Sequence, residues 1–266
     1  MKKALSGASI VTLAFLVAAC GSEPLALPAD SAGTQLFEQS RAFMEEGEWS
    51  KASEGFDTLL RNYPTSPHLP QARLSLGRSY YEQDRTSTLI LAVDAFRNFL
   101  TYHPSHGQVD YAQLMIAMSY LSMMRSPDRD QSQAVEALRA FEIFFEDYPG
   151  SPYAEQAQES MQRVVDNLSE HELGVADFQM SRGRYSAARQ RAIFALRKYG
   201  TTSLRCEFVW IIGESHRRQG DRRQATTYFQ QIVDEHAECE RVRDASEWLR
   251  QGGATRPSEE DEPGFL

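Results

Sequence analysis

The chain has 266 residues, of which 41% are apolar and 24% charged, and its formal net charge is −9. This balance is typical of a globular protein that buries a sizeable core, either as one continuous stack or as two domains. After the first twenty residues, charges interrupt every apolar run well before the roughly 18 residues that a membrane span needs. The sequence therefore excludes a transmembrane helix in the rest of the chain.

The N-terminus has the features of an export signal. Lys2 and Lys3 precede an apolar segment, residues 10–19, that is too short to remain in a bilayer. The ending Val17-Ala18-Ala19-Cys20 resembles the lipobox of bacterial lipoproteins, and Gly21 in place of aspartate resembles the pattern of those sent to the outer membrane. We therefore expect a signal peptide over 1–19, lipidation of Cys20 and a flexible tether over 20–33; the alternative is a plain signal peptide with an incidental cysteine.

A short sequence motif then recurs at intervals along the chain. An aromatic helix ends in a tyrosine, followed within two residues by a helix breaker, at Tyr63-Pro64, Tyr102-His103-Pro104, Tyr148-Pro149 and, without proline, Tyr199-Gly200. Repetition at such a period is the mark of a stacked-repeat protein. Small and aromatic positions within each unit resemble the tetratricopeptide repeat. The prediction is an all-α tetratricopeptide-repeat superhelix of about five helix-turn-helix units, or roughly ten helices.

The repeats predict the organisation of the mature chain. Units 1 and 2 occupy 34–108, the third unit and a long connecting helix occupy 109–168, and units 4 and 5 occupy 169–250. Residues 251–266, with the run Glu259-Glu260-Asp261-Glu262, are expected to form a disordered acidic tail.

The units are unevenly spaced, and the inserted residues distinguish this chain from a generic repeat array. The third unit carries an insert around Ser126–Gln131, and the stretch Glu170–Phe178 is followed by Arg182-Gly183-Arg184-Tyr185. With the lipobox, these segments resemble the BamD family, the lipoprotein subunit of the outer-membrane β-barrel assembly machinery. The resemblance covers about residues 36–240 and implies a scaffold on the periplasmic face of the outer membrane, with possible further accessory lipoproteins as partners.

The sequence contains no constellation typical of catalysis or of a metal site. His103 and His106 are separated by Pro104, so they do not share a helical face, and no nucleophile turn or phosphate-binding glycine loop occurs. We expect no cofactor, no metal and no enzymatic activity. Two alternatives remain: another envelope repeat lipoprotein, which scaffolds pilus secretin assembly or cell-wall synthesis, and a hydrolase or transferase with an unrecognised site.

Charge is segregated along the chain. Residues 182–223 contain eleven basic and only three acidic side chains, whereas residues 21–150 are net acidic. We interpret the basic end as a docking surface for an acidic protein face; nucleic acid is not expected as a partner of an exported lipoprotein. The family resemblance implies that this partner is the periplasmic domain of a BamA-like barrel insertase, bound by Arg182, Arg184, Arg189 and Arg191.

A second surface is expected on the concave side, where first helices of such stacks lie. An aromatic groove with arginines suits an extended peptide that ends in an aromatic residue and a carboxylate. The resemblance implies the C-terminal signal of unfolded outer-membrane proteins as its ligand. The alternative is that several of these side chains simply pack between repeats; the candidates are Phe37, Arg41, Arg78, Tyr81, Tyr111 and Met118.

Two cysteines follow Cys20. Cys206 opens the first helix of the last unit and Cys239 closes its second helix, so antiparallel packing allows a disulfide between them. Two free buried thiols are the equally good alternative.

Overall fold

A computed structural model describes residues 31–251, and eleven α-helices make up the fold of this part of the chain. They are α1 (Ser31–Glu45), α2 (Trp49–Asn62), α3 (Leu69–Tyr81), α4 (Thr86–Tyr102), α5 (Val109–Ser122), α6 (Ser132–Asp147), α7 (Ala154–Ser181), α8 (Tyr185–Lys198), α9 (Arg205–Arg218), α10 (Arg222–Glu235) and α11 (Val242–Arg250). The predicted all-α repeat architecture is confirmed. The structure adds an eleventh helix, α11, to the ten expected.

The repeated motif lies at the C-terminal end of each second helix. There the backbone N–H of the tyrosine or histidine that follows the helix donates to a carbonyl of the last turn, which satisfies one otherwise orphaned acceptor. These capping residues are Tyr63, His103, Tyr148, Tyr199 and His236, bonded to Leu59, Phe99, Phe144, Ala195 and Ile232.

The turn between the two helices of a unit needs a left-handed residue. Gly47 (φ 75°), Gly183 (φ 70°) and Gly220 (φ 81°) supply it in the first and the last two units, and Asp84 (φ 47°) in the second, whereas the longer loop of the third unit has no such residue. Glycine adopts this conformation without steric cost, which is why it recurs at this point.

The helices form two layers. The first helices α1, α3, α5, α7 and α9 touch one another in succession, whereas within the described residues no two second helices bring their Cα atoms within 8 Å of each other. The first-helix layer is therefore the tighter one, so the stack curves around it and makes it the concave side. Buried phenylalanines fill the space between the layers: Phe56, Phe96, Phe99, Phe141, Phe144, Phe208 and Phe229.

Helix α7 joins the third unit to the fourth without a break. Its buried stripe runs through Val164, Val165 and Leu168 and continues to Glu172 and Ala176. The division predicted between 168 and 169 thus separates two halves of one helix, because its apolar stripe continues across that point.

The two ends of the described chain can be compared with the predicted domain boundaries. Helix α1 begins at Ser31, so the last three residues of the predicted tether are helical; buried Gly33 lies on the same face as buried Phe37 and draws this turn into the fold. At the other end α11 covers the last unit, with the Trp248 ring 4.9 Å from that of Phe229. The signal peptide, Cys20 and residues 252–266 of the acidic tail lie outside the described residues.

No helix within residues 31–251 is long and apolar enough to cross a membrane.

Candidate docking surfaces

The four predicted partner-binding arginines lie on the turn after α7 and on α8. Arg182 and Arg184 flank Gly183 in the turn and are exposed. The Arg182 guanidinium lies 5.3 Å from the centroid of the Phe178 ring. Arg189, on α8, donates from Nη1 to Oε1 of Gln219 at 2.6 Å. Within the described residues these three arginines form no ion pair, so their charges are available to a partner.

Arg191 differs from the other three. Its Nη1 lies 3.0 Å from Oε2 of Glu172 on α7, and the Glu172 side chain is only 9% exposed. A carboxylate buried to this extent needs a cationic partner. Arg191 therefore has a structural role in joining α7 to α8, in addition to any role at the surface.

Other charges of the basic stretch are also paired inside the protein. Arg217 and Arg218 both donate to the carboxylate of Glu214, at 2.5 and 2.7 Å. Burial acts to raise the pKa of Glu214, but the hydrogen bonds and charges of the two arginines outweigh it and hold that pKa below its ordinary value. Lys198 reaches Glu142 of α6 at 3.6 Å. The exposed positive charge is thus concentrated more narrowly than the sequence indicates.

The predicted peptide groove is only partly assembled. Arg78, Tyr81 and Tyr111 lie near one another on α3 and α5: burial raises the pKa of Tyr111, and the nearby Arg78 charge opposes that rise. The Tyr111 ring also packs against Tyr153, at 5.6 Å between centroids. Arg78 is 3.8 Å from Glu82, one turn further along α3.

The remaining groove candidates have other partners. Phe37 is buried and stacks on His68 at 4.5 Å, so its placement in a groove was wrong; its ring fills the core of the first unit. Met118 is half-buried against the main core. Arg41 is exposed but pairs with Glu38 and Glu45 on its own helix. The alternative expectation, packing between repeats, describes Phe37 and Met118.

A disulfide joins Cys206 and Cys239, with their Cα atoms 6.4 Å apart. Cys206 is the second residue of α9, whereas Cys239 lies in the loop between α10 and α11. The bond therefore ties that loop to the start of α9.

Sequence reasoning missed one functional group and one cavity. Glu172, the partner of Arg191, lies inside the segment 170–178, but nothing local shows which arginine of the next helix it meets. The face of α7 opposite α8 carries the half-exposed Phe178 beside Gly174, and it borders a cavity of about 520 Å³. The pattern of α7 does not mark the cavity, because part of its wall comes from Pro127 and Asp128 in the loop between α5 and α6.

The sequence of this chain matches a known protein family. A family model described as "YfiO: Outer membrane lipoprotein" matches residues 29–232. The chain belongs to the YfiO family. This confirms the family predicted from the repeats and inserts. The match includes all four arginines and the Gly174 face and ends within α10, before Cys239 and α11.

Two relatives of this YfiO chain illustrate the match. A protein of Vibrio cholerae serotype O1, named outer membrane protein assembly factor BamD, is 28% identical over 226 residues, which is 81% of this chain and 91% of that protein. A BamD of Neisseria gonorrhoeae is 29% identical over 207 residues, 72% of this chain and 76% of that protein. Among solved structures, a tetratricopeptide repeat protein from Parabacteroides merdae covers 86% of this chain and 95% of its own, with 16% identity and a TM-score of 0.36. That likeness is too distant to add to the fold already described.

Proposed function

We propose that this YfiO-family chain is a non-enzymatic assembly factor for outer-membrane β-barrel proteins. It is held by a lipid on Cys20 at the periplasmic face of the outer membrane and binds the periplasmic domain of the barrel insertase. The observation that carries the proposal is the family match over residues 29–232 together with the exposed Arg182 and Arg184 at the turn before α8, which form no ion pair within residues 31–251. Such a compact positive surface favours an acidic protein face.

The test is co-purification of the insertase with variants of the full lipoprotein from outer membranes. Reversal of both turn charges, Arg182→Glu with Arg184→Glu, is expected to reduce the recovered insertase at least tenfold, because two attractive contacts become repulsive. Arg191→Glu is unsuitable, since it would also place a second carboxylate beside buried Glu172.

A matched control keeps the same change in net charge. Arg139 on α6 and Arg163 on α7 are exposed and form no ion pair within residues 31–251. The double variant Arg139→Glu with Arg163→Glu should recover the insertase at the wild-type level. Equal recovery with both double variants would contradict the assignment of the arginine turn, and recovery of a secretin or a cell-wall enzyme in place of the insertase would favour the alternative scaffold.

We further propose that Arg78, Tyr81 and Tyr111 receive the C-terminal segment of an unfolded barrel protein. A phenyl side chain packs against the tyrosines, and the terminal carboxylate pairs with Arg78. Fluorescence anisotropy with a labelled ten-residue peptide ending in phenylalanine tests this. Tyr81→Ala and Arg78→Gln should each weaken binding several-fold, whereas amidation of the peptide terminus should weaken wild-type binding and leave Arg78→Gln unaffected.

A further inference from the structure

Gly174 stands in the middle of α7 without a packing reason. A Cβ atom added there meets no atom within 4 Å. At Gly77 and Gly213, which are also inside helices, an added Cβ would lie 2.7 and 2.8 Å from the rings of Phe96 and Phe229, and at Gly55 it would collide with Ser40. Glycine inside a helix costs roughly 1 kcal/mol relative to alanine. Nothing within the described chain offsets that cost at Gly174.

Gly174 borders a cavity of about 520 Å³ between α7 and the loop that follows α5. The loop is fixed to α7, because Nδ1 of His171 donates to the Pro127 carbonyl at 2.7 Å and Nδ2 of Asn167 donates to the Arg125 carbonyl at 3.0 Å. The cavity is therefore a built feature of the fold. Its walls are formed by Pro127, Asp128, Glu170, His171, Gly174, Val175 and Phe178.

Apolar surface and negative charge meet at this cavity. The Phe178 side chain is 52% exposed and Val175 lies one turn earlier on the same helix. Glu170 at the rim forms no ion pair within residues 31–251, whereas the second rim carboxylate, that of Asp128, already pairs with Arg129 at 3.3 Å and accepts a hydrogen bond from the Ser126 hydroxyl. An exposed aromatic beside an open cavity marks a contact surface, and the Glu170 carboxylate favours a cationic group on whatever binds there.

We propose that this cavity receives a segment of the insertase's periplasmic domain, which places an apolar side chain against Phe178 and Val175 and a lysine or arginine beside Glu170. The absence of a side chain at Gly174 lets the partner's backbone approach α7 closely. This inference rests on the proposed function. The Arg182 guanidinium, 5.3 Å from the Phe178 ring, connects the cavity to the arginine turn, so one partner face covers both.

The decisive variant is Gly174→Leu, measured by isothermal titration of the purified chain with the purified periplasmic domain of the insertase from the same organism. Leucine fills the approach to α7 and should weaken binding at least tenfold, the size expected when an interface core is blocked. Leucine is a better helix former than glycine and meets open space, so the melting temperature should not fall. Gln158→Leu, on an exposed face of the same helix, is the matched control and should bind as the wild type does.

Two more variants test the apolar contact and the charge of the cavity separately. Phe178→Ser should weaken binding about tenfold through loss of the apolar contact. Glu170→Lys should weaken it up to about fivefold at low salt, with the difference shrinking at high salt, because the charge is exposed. Tighter binding by Glu170→Lys would overturn the cationic character assigned to the partner.

The outcomes distinguish this inference from the proposed function. If Gly174→Leu and Phe178→Ser bind like the wild type while Arg182→Glu with Arg184→Glu binds weakly, the cavity is not part of the interface and the proposed function stands. If the wild-type chain does not bind the periplasmic domain, both are wrong. Should Gly174→Leu disturb the fold, Gly174→Ala decides, since it should be more stable than the wild type and still bind more weakly.

Discussion

The third and fourth units fill the space between their helices in different ways. Between α5 and α6 the contacts come from phenylalanine rings, including fully buried Phe141 and Phe144. The fully buried residues of α8, which packs on α7, are all alanines, namely Ala188, Ala192 and Ala195. Across from them α7 buries Ser169 and the carboxylate of Glu172.

This difference in packing is accompanied by a difference in what the arginines of the second half contact. Where small side chains bring two helices close, little apolar area is buried, and polar groups come to lie in the interface. Some of the arginines nearby therefore neutralise buried carboxylates, as Arg191 does for Glu172, while Arg182 and Arg184 remain exposed.

The aromatic core of the third unit should be the most sensitive. Phe144→Ala is expected to lower the free energy of unfolding by about 3–5 kcal/mol, since it removes a fully buried ring and leaves a cavity. Urea denaturation followed by circular dichroism measures the loss. A loss below about 1 kcal/mol would show that the phenylalanines do not dominate this unit.

The last unit is held by its disulfide as well as by its core. Replacement of both Cys206 and Cys239 by serine should lower the free energy of unfolding by about 2–4 kcal/mol, because the bond restricts the unfolded chain. Thermal melts of wild type and variant, each with and without reductant, provide the check. Reductant should destabilise the wild type and leave the double variant unchanged; a wild-type protein insensitive to reductant would mean that the thiols are free.

The ion pair between α7 and α8 should contribute less to the free energy of unfolding than the disulfide does. Arg191→Leu is expected to cost about 1–3 kcal/mol, as it leaves Glu172 buried without its partner. Adding Glu172→Leu should recover part of that cost, because the unpaired charge is then gone. A double-mutant cycle from urea denaturation measures the coupling, and additive effects would show that Arg191 and Glu172 act independently.

Acid should weaken the last unit through protonation of Glu214. Its folded-state pKa is held below the ordinary 4.5, so the stability that its charge contributes is present above pH 4.5 and is lost as pH falls through the folded-state value. Glu214→Gln should therefore lose less stability between pH 5 and pH 3 than the wild type does. Denaturation curves over this range test it, and parallel pH dependence of the two proteins would contradict it.

Much of the architecture follows from local sequence signals. The breaker after each tyrosine, the glycine turns and the apolar stripes at helical spacing act over a few residues, so they predict the helix pairs of every unit. The boundary at residues 168 and 169 and the end of the tether were less predictable. In both places a helix extends as far as its buried face has something to pack against, which is a property of the neighbouring helices.

The sequence alone determined the repeat fold, the family and the concentration of arginines after α7, because these depend on residue type and spacing. Only the tertiary structure decided which arginines are available, since Arg191 is bound to Glu172 across the α7–α8 interface while Arg182 and Arg184 are not. It also decided that Phe37 belongs to the core and that Gly174 opens onto a cavity. Those outcomes depend on contacts between residues far apart in the chain, and the spacing of residues within one helix does not specify them.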